Sequence, residues 1–339
     1  MRILLPARIV ERHVGGNTTY SRELKTGLLA RGHAVDSIPA GGNPITTLLR
    51  ETFASQASQS SETVLHFTAD TGPLLRSRSP AVVTVHGVAS RWINTARNRR
   101  QEAAWRFRVQ RAISSVDRII TVSNSSAEDI LATFKVPQSD ISVIPHGISP
   151  AFFEAGASRD TMGETSAPFA LYIGNLEPRK NLINLIEAFA KPPMASIGAR
   201  LVIAGRPAWN YAEILKALEG AENIEYLGFI DNSTRMSLLK KARLFVFPSL
   251  YEGFGFPVLE ALAAGLPVAT SRRGSLAEVA GPSWELSELN ADALARDLSR
   301  AWQDEDWLTE CSVAGPEWAR QYNWETSVEK HESVYREII

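Results

Sequence analysis

At 339 residues the chain is long enough for two domains of roughly 150 residues each, and its net charge of −1 gives no global pull toward nucleic acid. A single cysteine, Cys311, excludes an internal disulfide and a cysteine-built zinc site, and fits a reducing, cytoplasmic setting. No apolar run approaches the roughly 18 residues of a membrane span, and Met1-Arg2-Ile3-Leu4-Leu5-Pro6 reads as a strand start, too quickly broken for a signal peptide.

In chain order, Arg2–Val10 reads as a first strand. Gly15-Gly16 follow in a loop, and a helix with Tyr20, Leu24 and Leu28 on one face closes at Gly32. Ala34–Ile38 is a short second strand. Residues 39–63 form a polar surface excursion with a helical patch over Ile45–Phe53. Val64–Phe67 and Val82–His86 are strands, which places His86 at a strand's C-terminal end before Gly87, the edge where open α/β sheets bind ligands. Arg91–Arg111 is a basic helix candidate with Trp92, Trp105 and Phe107 among its arginines. Such a stretch suits an anionic acceptor or a peripheral membrane contact, and also an ordinary solvated face. Arg118–Val122 and Ile141–Ile144 are further strands, and residues 154–168, small and polar, make the linker.

The pattern then restarts. Phe169–Ile173 is a strand, followed by the loop Gly174-Asn175-Leu176-Glu177-Pro178-Arg179-Lys180-Asn181 and a helix. Adjacent cations in such a loop suit two phosphate charges, Arg179 as a planar fork and Lys180 as a point charge. Leu201–Gly205 and Ile224–Leu227 are strands, and Gly228-Phe229-Ile230 after the second can present backbone groups to a flat base. Leu244–Pro248 is a buried strand leading into Ser249-Leu250-Tyr251-Glu252-Gly253-Phe254-Gly255, with Pro257 opening a helix that Gly265 ends. Gly253 and Gly255 let the backbone approach a ligand, and N–H groups near Gly255, Phe256 and Val258 suit a diphosphate. Two carboxylates eight residues apart, Glu252 in the loop and Glu260 in the helix, suit sugar hydroxyls and a ribose diol. Pro267–Thr270 is the next strand, and helices fill the end of the chain, the last running from Trp324 to Ile338. Strands alternating with helices twice over imply an α/β chain of two doubly wound, Rossmann-like parallel sheets facing across a cleft. The expected domains are 1–160, binding acceptor, and 161–318, binding donor, with 319–339 a helix packing back on the first.

These motifs resemble the GT-B-fold glycosyltransferases of glycosyltransferase family 4 over nearly the whole length. The most specific is the Glu-x7-Glu spacing of Glu252 and Glu260, followed by residues 174–181; Gly15-Gly16, Thr121-Val122-Ser123 and Pro145-His146-Gly147 are also similar to family landmarks. The resemblance implies retaining transfer of a hexose from a UDP- or GDP-sugar to a glycan, lipid-linked or small-molecule acceptor, with no metal or other cofactor, at the cytoplasm or the inner membrane face. It assigns Arg179 and Lys180 to the diphosphate, Glu260 to the ribose and Glu252 to the sugar hydroxyls. Gly253, Phe254, Gly255 and Leu259 would supply nearby donor contacts, with Gly174, Phe229 and Ile230 around the nucleotide. His86 would meet the donor sugar and Gly15 and Gly16 the phosphates. Many relatives have His-Asp where this chain has His86-Gly87, so no role is carried over for that acid. The alternatives are a non-catalytic sugar-nucleotide-binding subunit and a sugar-nucleotide epimerase. A dinucleotide oxidoreductase wants Gly-x-Gly-x-x-Gly after the first strand, which residues 13–18 do not supply.

Overall fold

The computed structural model describes residues 1–11, 15–57, 60–93, 98–157 and 168–339. The chain divides into two compact units, Met1–Gly147 with Tyr322–Ile339, and Ile148–Gln321.

The first unit opens with β1 (Arg2–Pro6), α1 (Ala7–Val10), α2 (Gly16–Ala30), β2 (Ala34–Ile38) and α3 (Pro44–Gln56). It continues with β3 (Thr63–Phe67), β4 (Ala81–Val85), α4 (Arg99–Ile113), β5 (Arg118–Thr121), α5 (Asn124–Thr133) and β6 (Ile141–Val143). All strand pairs are parallel, in the order β2-β1-β3-β4-β5-β6, so the winding reverses between β1 and β3. Alternate strand residues feed two cores, as the period of two requires. Ile3, Leu5, Val64, Val82 and Ile120 pack with Tyr20, Leu24 and Leu28 of α2, while Leu4, Leu65, Val83 and Ile119 pack with Val109, Ala112 and Ile113 of α4.

The second unit runs α6 (Pro150–Ala157), β7 (Phe169–Ile173), α7 (Leu182–Ala190), β8 (Arg200–Ala204), α8 (Ala212–Leu218), β9 (Ile224–Tyr226), α9 (Asn232–Lys241) and β10 (Leu244–Phe247). It ends with α10 (Phe256–Ala263), β11 (Val268–Thr270), α11 (Leu276–Val279), β12 (Trp284–Glu285), α12 (Ala291–Gln303) and α13 (Glu305–Ala319). Its parallel sheet has the order β12-β11-β10-β7-β8-β9, with the reversal between β7 and β10. The last helix, α14 (Trp324–Ile338), belongs to the first unit, where Val328, Val334 and Tyr335 join the α2 core. A Cβ on Gly27 of α2 would meet Val328 Cγ2 at 2.5 Å, so glycine is what lets the two helices approach.

Three local expectations need correction. The first strand stops at Pro6 and Ala7–Val10 is helical, since a short apolar run does not distinguish the two by itself. The basic stretch is not one helix: a single turn over Ala89–Arg91 precedes α4, which starts at Arg99 because Asn98 and Gln101 form a reciprocal capping box. The division between units falls at Gly147, ahead of the 154–168 stretch, whose first residues close α6. Arg97, residues 13–14 and residues 158–167 lie outside the described residues.

Candidate active site

In a doubly wound sheet the loops on either side of the reversal part from each other, which opens a crevice at the strands' C-terminal ends. In the second unit those loops follow β7 and β10, and they carry Arg179, Lys180 and Glu252. A single turn over Pro178–Lys180 is folded back by Asn181, which sits in the left-handed region at φ 59° and anchors to the Leu289 carbonyl at 2.8 Å. This turn carries both cations to Glu252. Arg179 Nη1 donates to Glu252 Oε2 and to the Tyr251 carbonyl, each at 2.7 Å, and Nη2 donates to Glu177 Oε1 at 2.5 Å. Lys180 Nζ donates to Glu252 Oε1 and lies 4.7 Å from the centre of the Phe247 ring. The loops are further tied by the Leu250 N–H, which donates to the Arg179 carbonyl at 2.9 Å.

Glu177, Lys180 and Glu252 are buried, so two cations and two carboxylates form a neutral group largely out of water. Burial alone would raise the Glu252 carboxyl, but Arg179 and Lys180 outweigh it and hold it down at about 2. Burial and the neighbouring Arg179 charge push the Lys180 ammonium below its ordinary value, against the pull of Glu252 and Glu177. Arg179 moves up, since its two carboxylates outweigh its burial. Arg179 commits three of its five N–H groups to these partners and Lys180 one of three, which leaves donors for an anionic ligand.

The rest of the β10 loop is braced from behind. Ser275 donates through its N–H at 3.0 Å and its hydroxyl at 3.1 Å to the Glu252 carbonyl, and through the hydroxyl at 2.7 Å to the Phe254 carbonyl. Gly274, at φ 61°, passes so close that a Cβ there would lie 2.5 Å from the Glu252 carbonyl oxygen. Gly255, at φ 103°, caps α10. The Val258 and Leu259 N–H groups both donate to the Gly255 carbonyl, at 3.1 and 3.3 Å, so the expectation that the Val258 N–H faces a diphosphate is corrected. Leu259 is wholly buried, Phe254 and Glu260 are nearly so, and Glu260 is ion-paired with Arg235 of α9. Burial lowers Arg235 to about 10. Sequence reasoning missed Arg235, for which helix periodicity offers no signal, and gave no role to Glu177, which lies in the quoted motif.

Gly174 faces Gly205, whose Cβ would fall on the Gly174 carbonyl, and the Gly205 N–H donates to the Gly228 carbonyl at 2.7 Å. Beside them Phe229 is exposed, with the Arg206 guanidinium 3.8 Å from its ring centre and Ile230 next in the chain. The structure thus brings Arg179, Lys180 and Glu252 into direct contact, and sets Gly174, Phe229 and Ile230 along the edge formed by β7, β8 and β9.

In the first unit, Gly15 takes φ 128° and caps α2, and Gly16 begins it; both are exposed. His86 follows β4. Its Nε2 faces the Thr68 carbonyl at 3.1 Å and therefore carries the proton, and its backbone N–H donates to Asp70 Oδ1 at 2.9 Å. A carboxylate therefore stands beside His86 although Gly87 supplies none; it comes from the loop after β3. Burial lowers the His86 pKa against the opposing influence of Asp70. Behind His86 lies a buried polar cluster that no local sequence signal announced. Tyr20 Oη contacts His331 Nε2 at 2.7 Å and Thr84 Oγ1 at 2.9 Å, His66 Nδ1 contacts Tyr335 Oη at 2.6 Å, and His146 lies 4.7 Å from Tyr20 ring to ring. Burial pushes His66 and His146 well below the ordinary histidine value and His331 to about 4, so all three rings are neutral at pH 7.

Among the described residues no helix is long and apolar enough to cross a membrane. Residues 158–318 match the protein family described as Glycosyl transferases group 1, and residues 60–152 the family described as Glycosyltransferase Family 4. The chain is similar to the O-antigen chain mannosyltransferase B of Escherichia coli, 30% identical over 235 residues that cover 66% of this chain and 62% of that protein. It is 27% identical to the MMP alpha-(1->4)-mannosyltransferase of Mycolicibacterium hassiacum over 68% of this chain and 56% of that one. The match therefore spans only about 60% of these relatives' length. Among solved structures, sucrose-phosphate synthase from Thermosynechococcus elongatus shares the fold with a TM-score of 0.79 at 20% identity, covering 99% of this chain and 98% of that one. The Anabaena protein HepE, crystallised with UDP and glucose, does so with a TM-score of 0.74 at 14% identity, covering 100% and 99%.

Proposed function

We propose that this chain, a member of the GT-B-fold glycosyltransferases of family 4, moves a hexose from a nucleoside-diphosphate sugar to a glycan, lipid-linked or small-molecule acceptor. Transfer retains the anomeric configuration and needs no divalent metal. The observation that carries this reading is the pair of adjacent cations at the β7/β10 reversal, buried Lys180 and half-buried Arg179, held by carboxylates yet with N–H donors to spare. As the bond to the leaving nucleotide breaks, negative charge grows on its phosphate. Arg179 and Lys180 are preorganised donors for that charge, in a site where burial strengthens their effect. This is the service a divalent cation would otherwise supply.

In the same reading Glu252, kept ionised by Arg179 and Lys180, accepts from the sugar hydroxyls, and Glu260 accepts from the ribose diol. Gly253, Phe254 and Gly255 contribute backbone contacts. The Gly174 turn, Phe229 and Ile230 border the nucleobase, and Leu259 supports the loop from within. The family resemblance assigns His86, a neutral imidazole, to the donor sugar and Gly15 and Gly16 to the phosphates. Relatives named as mannosyltransferases and a neighbour holding UDP and glucose make mannose or glucose the first sugars to try. The basic stretch Arg91–Arg111 would rest against anionic lipid, with the protein working in the cytoplasm or at the inner membrane face. Incubation with GDP-mannose or UDP-glucose and a set of acceptors, with the product's anomeric configuration read by NMR, tests the assignment. A product of inverted configuration, or modified donor with no transfer, would replace it.

A further inference from the structure

The helix α3 is built inside out. Its inward side carries Thr47, Glu51 and Ser55, all buried, with Glu51 ion-paired to Arg8 at 2.5 Å. Ile45, Leu49 and Phe53, offset by two residues and so by about 200° around the helix, point to the opposite side. They are 72%, 46% and 69% exposed. Buried polar groups with exposed large apolar groups are the reverse of what a solvated surface helix shows. A contiguous apolar stripe of this kind marks a surface that meets something.

The surroundings say what. Ala54 of α3 and Trp105, Val109, Ala112 and Ile113 of α4 share one core on one face of the sheet. The loop between β3 and β4 lies between the two helices. Its Leu74 N–H donates to Thr52 Oγ1 at 3.2 Å, its Leu74 carbonyl accepts from Arg111 Nε at 3.1 Å, and Leu75 is exposed. In the same layer Leu75 and Phe107 of α4 are exposed, as are Arg50, Arg76, Arg78, Arg99, Arg100 and Arg106, of which Arg76 is paired with Asp117 and Arg106 with Glu102. From Pro39 to Val116 the sequence has ten arginines and no lysine against four acids, in a chain whose net charge is −1. Cationic charge is concentrated where apolar side chains protrude, and a bilayer with anionic headgroups offers the complement of both.

We propose that α3 is an interfacial anchor: Ile45, Leu49 and Phe53 enter the headgroup region of an anionic membrane while the surrounding arginines bind its phosphates. This deepens the lipid contact proposed for Arg91–Arg111 and rests on it for charge, but it needs nothing of the transferase reading.

The test is flotation of the full chain with phosphatidylcholine vesicles, with and without 30% phosphatidylglycerol, compared with an Ile45→Gln/Leu49→Gln/Phe53→Gln variant and an Arg99→Glu/Arg100→Glu variant. All five positions are exposed, so folding is checked by an unchanged circular dichroism spectrum and melting temperature. Wild type should float only with the anionic vesicles and less at high salt, and the triple variant should bind them at least about tenfold more weakly. If wild type does not float with anionic vesicles, both the anchor and the basic contact fall. If the triple variant floats like wild type while the double variant does not, the anchor falls and the basic contact stands. If wild type is a dimer that the triple variant converts to monomer with no vesicle binding by either, the stripe is a contact between copies and the proposal is overturned.

Discussion

Replacing Glu252 by Gln keeps the shape of the side chain and removes the charge that Arg179 and Lys180 share. With the Glu252 carboxyl held near 2 rather than 4.5, its interaction with Arg179 and Lys180 contributes about 3 kcal/mol at neutral pH. Removing one member of a buried ionic group costs a comparable ~3–5 kcal/mol, because the remaining charges stay desolvated. With an m value of about 2 kcal/mol/M in urea, the transition of the second unit should move down by about 1.5 M. The wild-type pH profile carries the same information. The folded pKa lies below the unfolded one, so this contribution is complete above about 4.5 and disappears as pH falls through about 2. The substitution has a second, opposite consequence. A nucleoside diphosphate brings back negative charge, so it should raise the melting temperature of Glu252→Gln by more than that of wild type, while sugar transfer is lost. An unchanged urea midpoint, or a variant that no longer responds to any nucleoside diphosphate stabilising wild type, would refute the picture of one carboxylate holding two phosphate-binding cations in readiness.

Other outcomes follow from the same structure. His331, lowered from 6.5 to about 4, contributes stability that is complete above 6.5 and is lost as pH falls toward 4, about 3 kcal/mol in all, and His66 and His146 act in the same direction. Urea midpoints of the first unit should therefore decline steeply between pH 6.5 and 4, and less so in His331→Gln; a flat profile would show that these rings are protonated in the fold. Gly274→Ala should lose donor binding and at least about 2 kcal/mol of stability, because its Cβ would meet the Glu252 carbonyl at 2.5 Å in the left-handed region. Gly220→Ala, also left-handed at φ 81° but with open space around it, should cost only about 1 kcal/mol and leave activity alone. Equal effects from the two, in melting temperature and turnover, would show that close approach at Gly274 does not shape the site. Arg235→Ala should destabilise the second unit by about 3 kcal/mol, since it strands the buried Glu260 carboxylate, with the loss smaller in Arg235→Lys.

Much of the fold was legible because its signals are local. Buried parallel strands such as Phe169–Ile173 and Leu244–Phe247 are short apolar runs bounded by turns, and the glycine and proline around Gly255 and Pro257 mark a helix start. The Asn98–Gln101 capping box was also written in the sequence, and reading it would have placed the start of α4 correctly. The two-residue strand Trp284–Glu285 has no pattern of its own and exists only through pairing with β11. At the site, residue types and spacing pointed to Arg179, Lys180 and Glu252, yet not to their mutual contact across 72 residues. Long-range partners were beyond reach altogether: Arg235 on Glu260, Asp70 beside His86, and the Tyr20–His331 contact across 311 residues depend on how elements pack. The inverted face of α3 shows the same limit, since Ile45, Leu49 and Phe53 recur at helical spacing and would ordinarily be assigned to the core.

In the proposed reaction Arg179 and Lys180 bind the diphosphate of a nucleotide sugar without help from a metal. Calorimetric titration of the full chain with UDP-, GDP-, ADP- and dTDP-sugars in excess EDTA, repeated on a folded Lys180→Ala variant, tests it most directly. One clear donor should bind with an affinity that survives EDTA and falls by about 100-fold in the variant, in line with the loss of a charge-assisted contact to phosphate. Binding that needs a divalent cation, or that Lys180→Ala leaves intact, would contradict it.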